Sequence, residues 1–267
     1  MVVTNKLLLI SIVFFTIFSP SQIAIASSSK CQSISISAHP NYPPFHWKEQ
    51  DTLVGASIDI SRSIFQNLGL DVKVSYEGPW KRVLMSIKQE KIDFIPALKK
   101  TSDRQQYLEF TQNEFATNPV AIFVKKGKAL VPKSFKDLIG LYGSVNAGDK
   151  HGDKVDSFVS SQSNMQFIHG LSQNFEMLIL GRTDYFITGF YTGYDFLKAN
   201  KLDSHVEVAF KINGLKIHNG FTHQYAKECQ RIVKEFDKQL SLLRQSGEIE
   251  KSINNYHNAW LEGAKKL

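Results

Sequence analysis

The 267-residue chain holds only two cysteines. That excludes a disulfide-dense scaffold, and no Cys/His spacing of the metal-binding kind occurs. His218 and His223 flank a short segment, but no third metal ligand lies within sequence reach of them. No Gly-x-Ser-x-Gly or other nucleophile motif is present, and the Gly-Lys-Ser/Thr ending of a phosphate loop is missing. Sequence repeats and low-complexity tracts are also absent. The formal net charge is +7, yet the lysines and arginines are scattered, with no basic stripe interleaved with aromatics. The charge therefore describes a solvated basic surface with a mild attraction for anions, not a nucleic-acid-binding face. Beyond the N-terminus, no apolar run approaches the ~20 residues that span a bilayer.

What is present begins with a targeting segment. Lys6 precedes an apolar run from Leu7 to Phe18, and Ala24-Ile25-Ala26 supplies an A-x-A cleavage site. Residues 1–26 are read as a secretory signal, cut after Ala26, that leaves an exported, periplasmic protein with no membrane span. The apolar run is too short for an anchor, and Lys30 before Cys31 breaks a lipoprotein box. The remaining roughly 240 residues exceed the ~100–150 of a usual single core, which predicts two lobes. In an oxidising compartment, Cys31 and Cys229 read either as one disulfide or as two separate buried thiols.

Along the chain, strand and helix patterns alternate. Ser33 to Ser37 alternates strictly, as a half-buried strand does. Ile60, Ile64 and Leu68 recur at helical spacing, with Gly69 as a stop. Val72, Val74 and Tyr76 read as a strand, Val83, Leu84 and Ile87 as a helix stripe, and Ile92 to Leu98 as a strand. Further on, strands are predicted at 118–124, 143–146, 165–168, 184–188 and 205–210. Helices are predicted at 134–139, 154–160, 175–180 and 191–200, then a long amphipathic helix through Ile232, Phe236 and Leu240. This order argues for parallel βαβ units, whose ligands sit beyond the carboxyl ends of the strands. The loops at Tyr42, Trp80 and Leu98 to Arg104 are the ones so placed.

Motifs in the first half resemble a known family. They are Tyr42-Pro43-Pro44-Phe45, Gly55 with Asp59, Trp80 before a helix, Lys91 with Asp93 before a strand, Thr101 with Arg104, and Phe110-Thr111. In that order and spacing they resemble the periplasmic amino-acid-binding proteins of ABC importers, the extracellular solute-binding protein family 3. The resemblance implies an α/β, two-lobed type II periplasmic binding protein fold, with a mostly parallel central sheet in each lobe and a two-strand hinge. Lobe one would comprise residues 27–123 and 213–267, and lobe two residues 124–212. It also returns the C-terminal helices to lobe one, where Cys31 and Cys229 could meet. The function implied is capture of a small carboxylate-bearing ligand between the lobes for an importer's membrane subunits. No catalytic residue, cofactor or metal is called for. A dehydratase-like or wall-lytic exported enzyme on the same fold, and a transporter-free sensor, are the alternatives.

Residue by residue, the resemblance implies that Arg104 forks onto the ligand carboxylate, as a planar guanidinium can and a lysine cannot. Tyr42 and Trp80 would sandwich the ligand body, and Thr101 would offer a hydroxyl or cap the turn carrying Arg104. The loop from Asn146 to Gly152 would present backbone N–H groups at a helix N-terminus, with Gly148 permitting close approach. Three departures stand out. Gly189 occupies the place of the acid that holds a ligand ammonium, Ala97 and Lys99 occupy the places of a small residue and a threonine, and His39 replaces an acid. A pocket with Arg104 and Lys99 but no such acid favours a ligand of net negative charge, or one without a free α-ammonium. If Lys99 instead faces solvent, Asp149 or Glu114 would hold the ammonium of an ordinary amino acid.

Overall fold

Two sheets, each flanked by helices, form two lobes in the computed structural model, which describes Val2 and residues 29–127 and 131–264. The signal segment and its cut after Ala26 lie outside the described residues. The first lobe starts with β1 (Ser33–Ile36) and a small antiparallel sheet of β2 (Asn41–Tyr42), β3 (His46–Glu49) and β4 (Thr52–Val54). It continues with α1 (Ala56–Asn67), β5 (Asp71–Val74), α2 (Trp80–Lys88), β6 (Phe94–Lys99), β7 (Leu108–Phe110) and β8 (Ala116–Thr117). The second lobe runs β9 (Val120–Lys125), β10 (Gly143–Asn146), α3 (Asp153–Ser161), β11 (Met165–Ile168), α4 (Leu171–Ile179), β12 (Tyr185–Gly189), α5 (Phe190–Ala199) and β13 (Val206–Ile212). The chain then returns through β14 (Lys216–Thr222) to α6 (His223–Glu228), α7 (Gln230–Gln245) and α8 (Glu248–Ala264).

The first sheet is ordered β5-β1-β6-β14-β7, with β8 also on β14, and the second β11-β10-β12-β9-β13. In each, the βαβ strands pair in parallel: β1 with β5 and β6, and β10 with β11 and β12. The strands that bring the chain in from the other lobe, β9 and β14, add antiparallel. They arrive from across the cleft rather than by a helical crossover. The two crossovers, 118–119 and 213–215, thus run side by side beneath the cleft.

Packing follows from the apolar pattern. Strand β6 is buried along its whole length, as a central strand covered on both faces must be. Phe65 of α1, Phe94 of β6, Phe221 of β14 and Phe236 of α7 form one aromatic cluster, with Phe65 and Phe236 stacked at 4.6 Å. Phe123, Phe175, Phe186 and Phe196 do the same in lobe two. Gly55, with φ 127°, opens α1 where a Cβ would lie 2.4 Å from the Phe45 carbonyl oxygen, so no other residue fits. Cys31 and Cys229 form a disulfide, Cα atoms 5.6 Å apart, tying the start of the described fold to the α6–α7 junction. Helix α8 packs against α1 of lobe one and α5 of lobe two. There His257 Nδ1 lies 2.8 Å from the buried Asp195 carboxylate.

Several elements depart from the sequence reading. The helix expected over 134–139 is a single 3-10 turn, Phe135–Leu138, closed by a capping box between Ser134 and Asp137. The helix expected from Phe175 begins earlier, at Leu171 after Gly170. The strand through Tyr76 stops at Val74. The short strands β2, β3, β4, β7 and β8 carry too few residues to show a period.

Candidate ligand-binding cleft

The cleft is assembled from loops at the carboxyl ends of strands. The loop after β1 supplies His39, Tyr42 and His46. His39 Nδ1 accepts the Asn41 N–H at 2.9 Å, and His46 Nδ1 lies 2.8 Å from Ser57 Oγ, which holds the rings in place. Pro79 starts α2, so Trp80 stands at its first turn with its ring facing the other lobe. The end of β6 contributes Ala97 and Lys99. Ala97 takes φ 47°, and its N–H donates to the buried Asn219 Oδ1 at 3.0 Å, beside a register irregularity in β14. A single 3-10 turn then carries Arg104, whose backbone N–H is capped by Thr101 Oγ1 at 3.3 Å. From lobe two come Asp149, Lys150, His151 and Gly189. Together these residues surround a space of about 450 Å³, counting its open mouth.

The lobes are in contact across this space. Trp80 Nε1 donates to the Gly148 carbonyl at 3.0 Å, and His39 Nε2 lies 3.3 Å from Asp149 Oδ1. Ser102 Oγ donates to Asp153 Oδ2 at 2.8 Å.

Charge is concentrated here. Arg104 is 3 % exposed. Its Nη1 donates to the Lys99 carbonyl at 3.0 Å, its Nε is buried without a partner, and its guanidinium sits 5.6 Å from the Trp80 ring centroid, a cation–π distance. Among the described residues no carboxylate pairs with it. Lys99 is buried as well, and its Nζ donates to the carbonyls of Asn118 and Leu215, one on each crossover. Burial, reinforced by the Arg104 charge, lowers the Lys99 ammonium to about 7. Burial works to raise the Asp149 carboxyl. The His39 and His151 rings beside it and the Asn146 amide outweigh it and keep Asp149 below its ordinary value. Burial drives His46 well below its ordinary value and lowers His151 too, so both rings are neutral donors or acceptors. Burial also raises Tyr42, whose hydroxyl accepts from Asn118 Nδ2 at 2.8 Å.

Of the residues singled out from sequence, Tyr42, Trp80, Ala97, Lys99, Arg104 and Gly189 line the space, and Thr101 and Gly148 do not. Thr101 caps the Arg104 turn, and Gly148 receives the Trp80 indole. In the loop 146–152 the Asp149 N–H bonds to the Asn146 carbonyl and the His151 N–H to Asp156 Oδ1 in the first turn of α3, so these two amides are engaged within lobe two. Lys99 points inward, not to solvent. Glu114 is outside the cleft, held by Arg244 at 2.9 Å and Lys216 at 3.4 Å, whereas Asp149 is inside it. His46, His151 and Asn118 escaped the sequence reading. The position of His46 directly after the Tyr-Pro-Pro-Phe loop was the one available signal. Asn118 explains Gly189: a Cβ there would lie 2.5 Å from Asn118 Nδ2, so the amide fills the space a side chain would need.

The family model of bacterial extracellular solute-binding proteins, family 3, matches residues 34–259. Among curated proteins, the L-cystine-binding protein TcyA of Bacillus subtilis (strain 168) is 21% identical over 228 residues, covering 85% of this chain and 81% of that protein. Among solved structures, the amino acid ABC transporter substrate-binding protein AbpA of Streptococcus pneumoniae bound to L-arginine superposes with TM-score 0.71 at 18% identity, covering 86% of this chain and 96% of that one. A histidine kinase sensor domain with similarity to periplasmic binding proteins superposes with TM-score 0.73 at 16% identity, covering 84% and 96%. At these identities the structural matches establish the fold. No helix among the described residues is long and apolar enough to cross a membrane.

Proposed function

The chain belongs to the bacterial extracellular solute-binding proteins of family 3, and from that premise we propose that its cleft captures a small carboxylate-bearing ligand, an amino acid or a related organic anion, on Arg104. The observation that carries this reading is Arg104 itself. A guanidinium buried to 3 % exposure with no carboxylate partner among the described residues is an uncompensated charge. A ligand carboxylate supplies the missing partner with bidentate geometry. Tyr42 and Trp80 offer apolar faces for the ligand body, and the contacts between lobes lock it in. The cystine-binding and arginine-bound relatives support a ligand of amino-acid size. Ligand shifts the population toward the closed form, and the membrane subunits of an ABC importer read that form. The role is binding rather than catalysis, exercised in the periplasm after removal of residues 1–26 near Ala26.

A thermal-shift screen of the mature chain against amino acids and small organic acids tests the reading, because a ligand that binds only the native state must raise stability. At least one carboxylate of this size is expected to raise the melting temperature of the wild type and to leave Arg104→Ala unmoved. Shifts of equal size in both proteins would overturn the assignment.

A further inference from the structure

We propose that Lys99 determines specificity in this cleft: it fixes an ammonium of the protein's own across the two crossovers, and the cleft thereby selects carboxylates that carry no α-ammonium. The inference rests on the reading of Arg104 as the carboxylate anchor.

Three observations lead to it. The first is geometric. Lys99 lines the cavity, and its Nζ donates to the carbonyls of Asn118 and Leu215, the residues through which the chain leaves lobe one and comes back. Both carbonyls are thereby engaged by the protein's own ammonium at the junction of the lobes. The second concerns the opposite wall. Gly189 has no side chain, and the Asn118 amide that fills its place turns its Nδ2 toward Tyr42 and leaves a neutral amide Oδ1 beside it. That wall therefore offers no carboxylate to balance an ammonium. The third is charge balance. The cavity is lined by three cationic side chains, Arg104, Lys99 and Lys150, against one acid, Asp149, whose Oδ1 already receives His39 Nε2 and Asn146 Nδ2. A bound monocarboxylate reduces that excess of positive charge. A zwitterionic α-amino acid leaves the excess positive charge in place and sets its own ammonium among cations in a poorly hydrated site.

The titratable and charged groups that line the cavity with Lys99 are Arg104 from the turn after β6, Tyr42, His39 and His46 from the first loop, and Asp149, Lys150 and His151 from lobe two. Burial loosens the hold of Lys99 on its proton, and an anion bound nearby tightens it again. Uptake of a fraction of a proton therefore accompanies binding of an amine-free carboxylate near pH 7.

Calorimetry on the mature chain with matched pairs tests the proposal: 4-methylpentanoate against L-leucine, 3-phenylpropionate against L-phenylalanine, and glutarate against L-glutamate. The expected result is that in the pairs that bind, the amine-free member is favoured by at least about tenfold, the scale of one unpaired charge partly relieved by water. Measured in two buffers of different ionisation enthalpy, its binding takes up protons. In Lys99→Met the preference shrinks or inverts and the uptake disappears. Should that variant not fold, the wild-type preference and proton uptake decide alone. Equal or tighter binding of the amino acid members, lost in Arg104→Ala, would overturn the proposal while leaving Arg104 as the anchor. Failure of every pair, with Arg104→Ala indistinguishable from wild type, would overturn both.

Discussion

Replacing Arg104 should move affinity and stability in opposite directions. In the structure the guanidinium donates to the Lys99 carbonyl and lies within bonding reach of the Tyr107 hydroxyl, and its Nε has no partner. Losing the Lys99 bond costs about 1 kcal/mol, whereas removing a buried polar group without a partner returns about 1–3 kcal/mol. Arg104→Met keeps an apolar stem over Trp80 and is therefore expected to be as stable as the wild type or up to about 2 kcal/mol more so. For a chain this size that is a rise of up to roughly 4–8 °C. Binding responds the other way. Removing one member of a desolvated charge pair costs about 2–5 kcal/mol, which is roughly 30- to 5,000-fold in Kd. Differential scanning fluorimetry reads both quantities together. With ligand at about 100 times Kd, the wild type gains about 2.7 kcal/mol, and the variant at the same concentration gains almost nothing. A variant that melts well below the wild type yet keeps its ligand-induced shift would refute the reasoning, because Arg104 would then be a structural residue and not an anchor.

Three further outcomes follow from particular contacts. Reducing the Cys31–Cys229 bond, which closes a loop of 198 residues, removes up to about 5 kcal/mol in the chain-entropy model; melts with and without reductant measure it, and an unchanged midpoint with both thiols titratable would argue against the tie. Gly189→Asp is expected to destabilise by about 1–3 kcal/mol, because its Cβ would meet Asn118 Nδ2 at 2.5 Å. Asn118→Ala in the same chain should recover most of that loss in urea titrations, and no recovery would show the clash lies elsewhere. Lys99 is held at about 7 in the folded chain against 10.5 for the free side chain, so between those values the unfolded state binds more protons and stability rises with pH. The increment is at most about 5 kcal/mol. Lys99→Met should flatten that rise between pH 7 and about 9.5 relative to wild type, and parallel pH profiles for the two proteins would contradict the assignment.

How far the sequence reached depends on how local each determinant is. The βαβ units were legible because their apolar periods lie within single elements: Ile64 of α1 and the run through β6 point inward as their spacing requires. Arg104, Tyr42 and Trp80 were legible because each sits at a strand end or helix start that the element order already places beside the cleft. Strand β14 was hidden because its residues, Lys216 to Thr222, mix charge, amide and glycine, and its place between β6 and β7 is set by the return crossover rather than by its own pattern. The reach of Lys99 was equally hidden. A lysine at the end of a strand reads as solvated by default, and nothing local reveals that two carbonyls far apart in the chain, at Asn118 and at Leu215 once the crossovers run side by side, will hold its ammonium. Gly189 looked like a lost function when taken alone, and Asn118 shows it to be half of a complementary pair, since the amide occupies the volume the missing side chain gives up. Residues placed by one element can be read from sequence, whereas the proposed specificity of this cleft would rest on contacts between the crossovers and the end of β6. A selectivity switch is therefore best sought at Lys99, Asn118 and Gly189 together, since altering one of the three leaves the other two shaped for the original occupant.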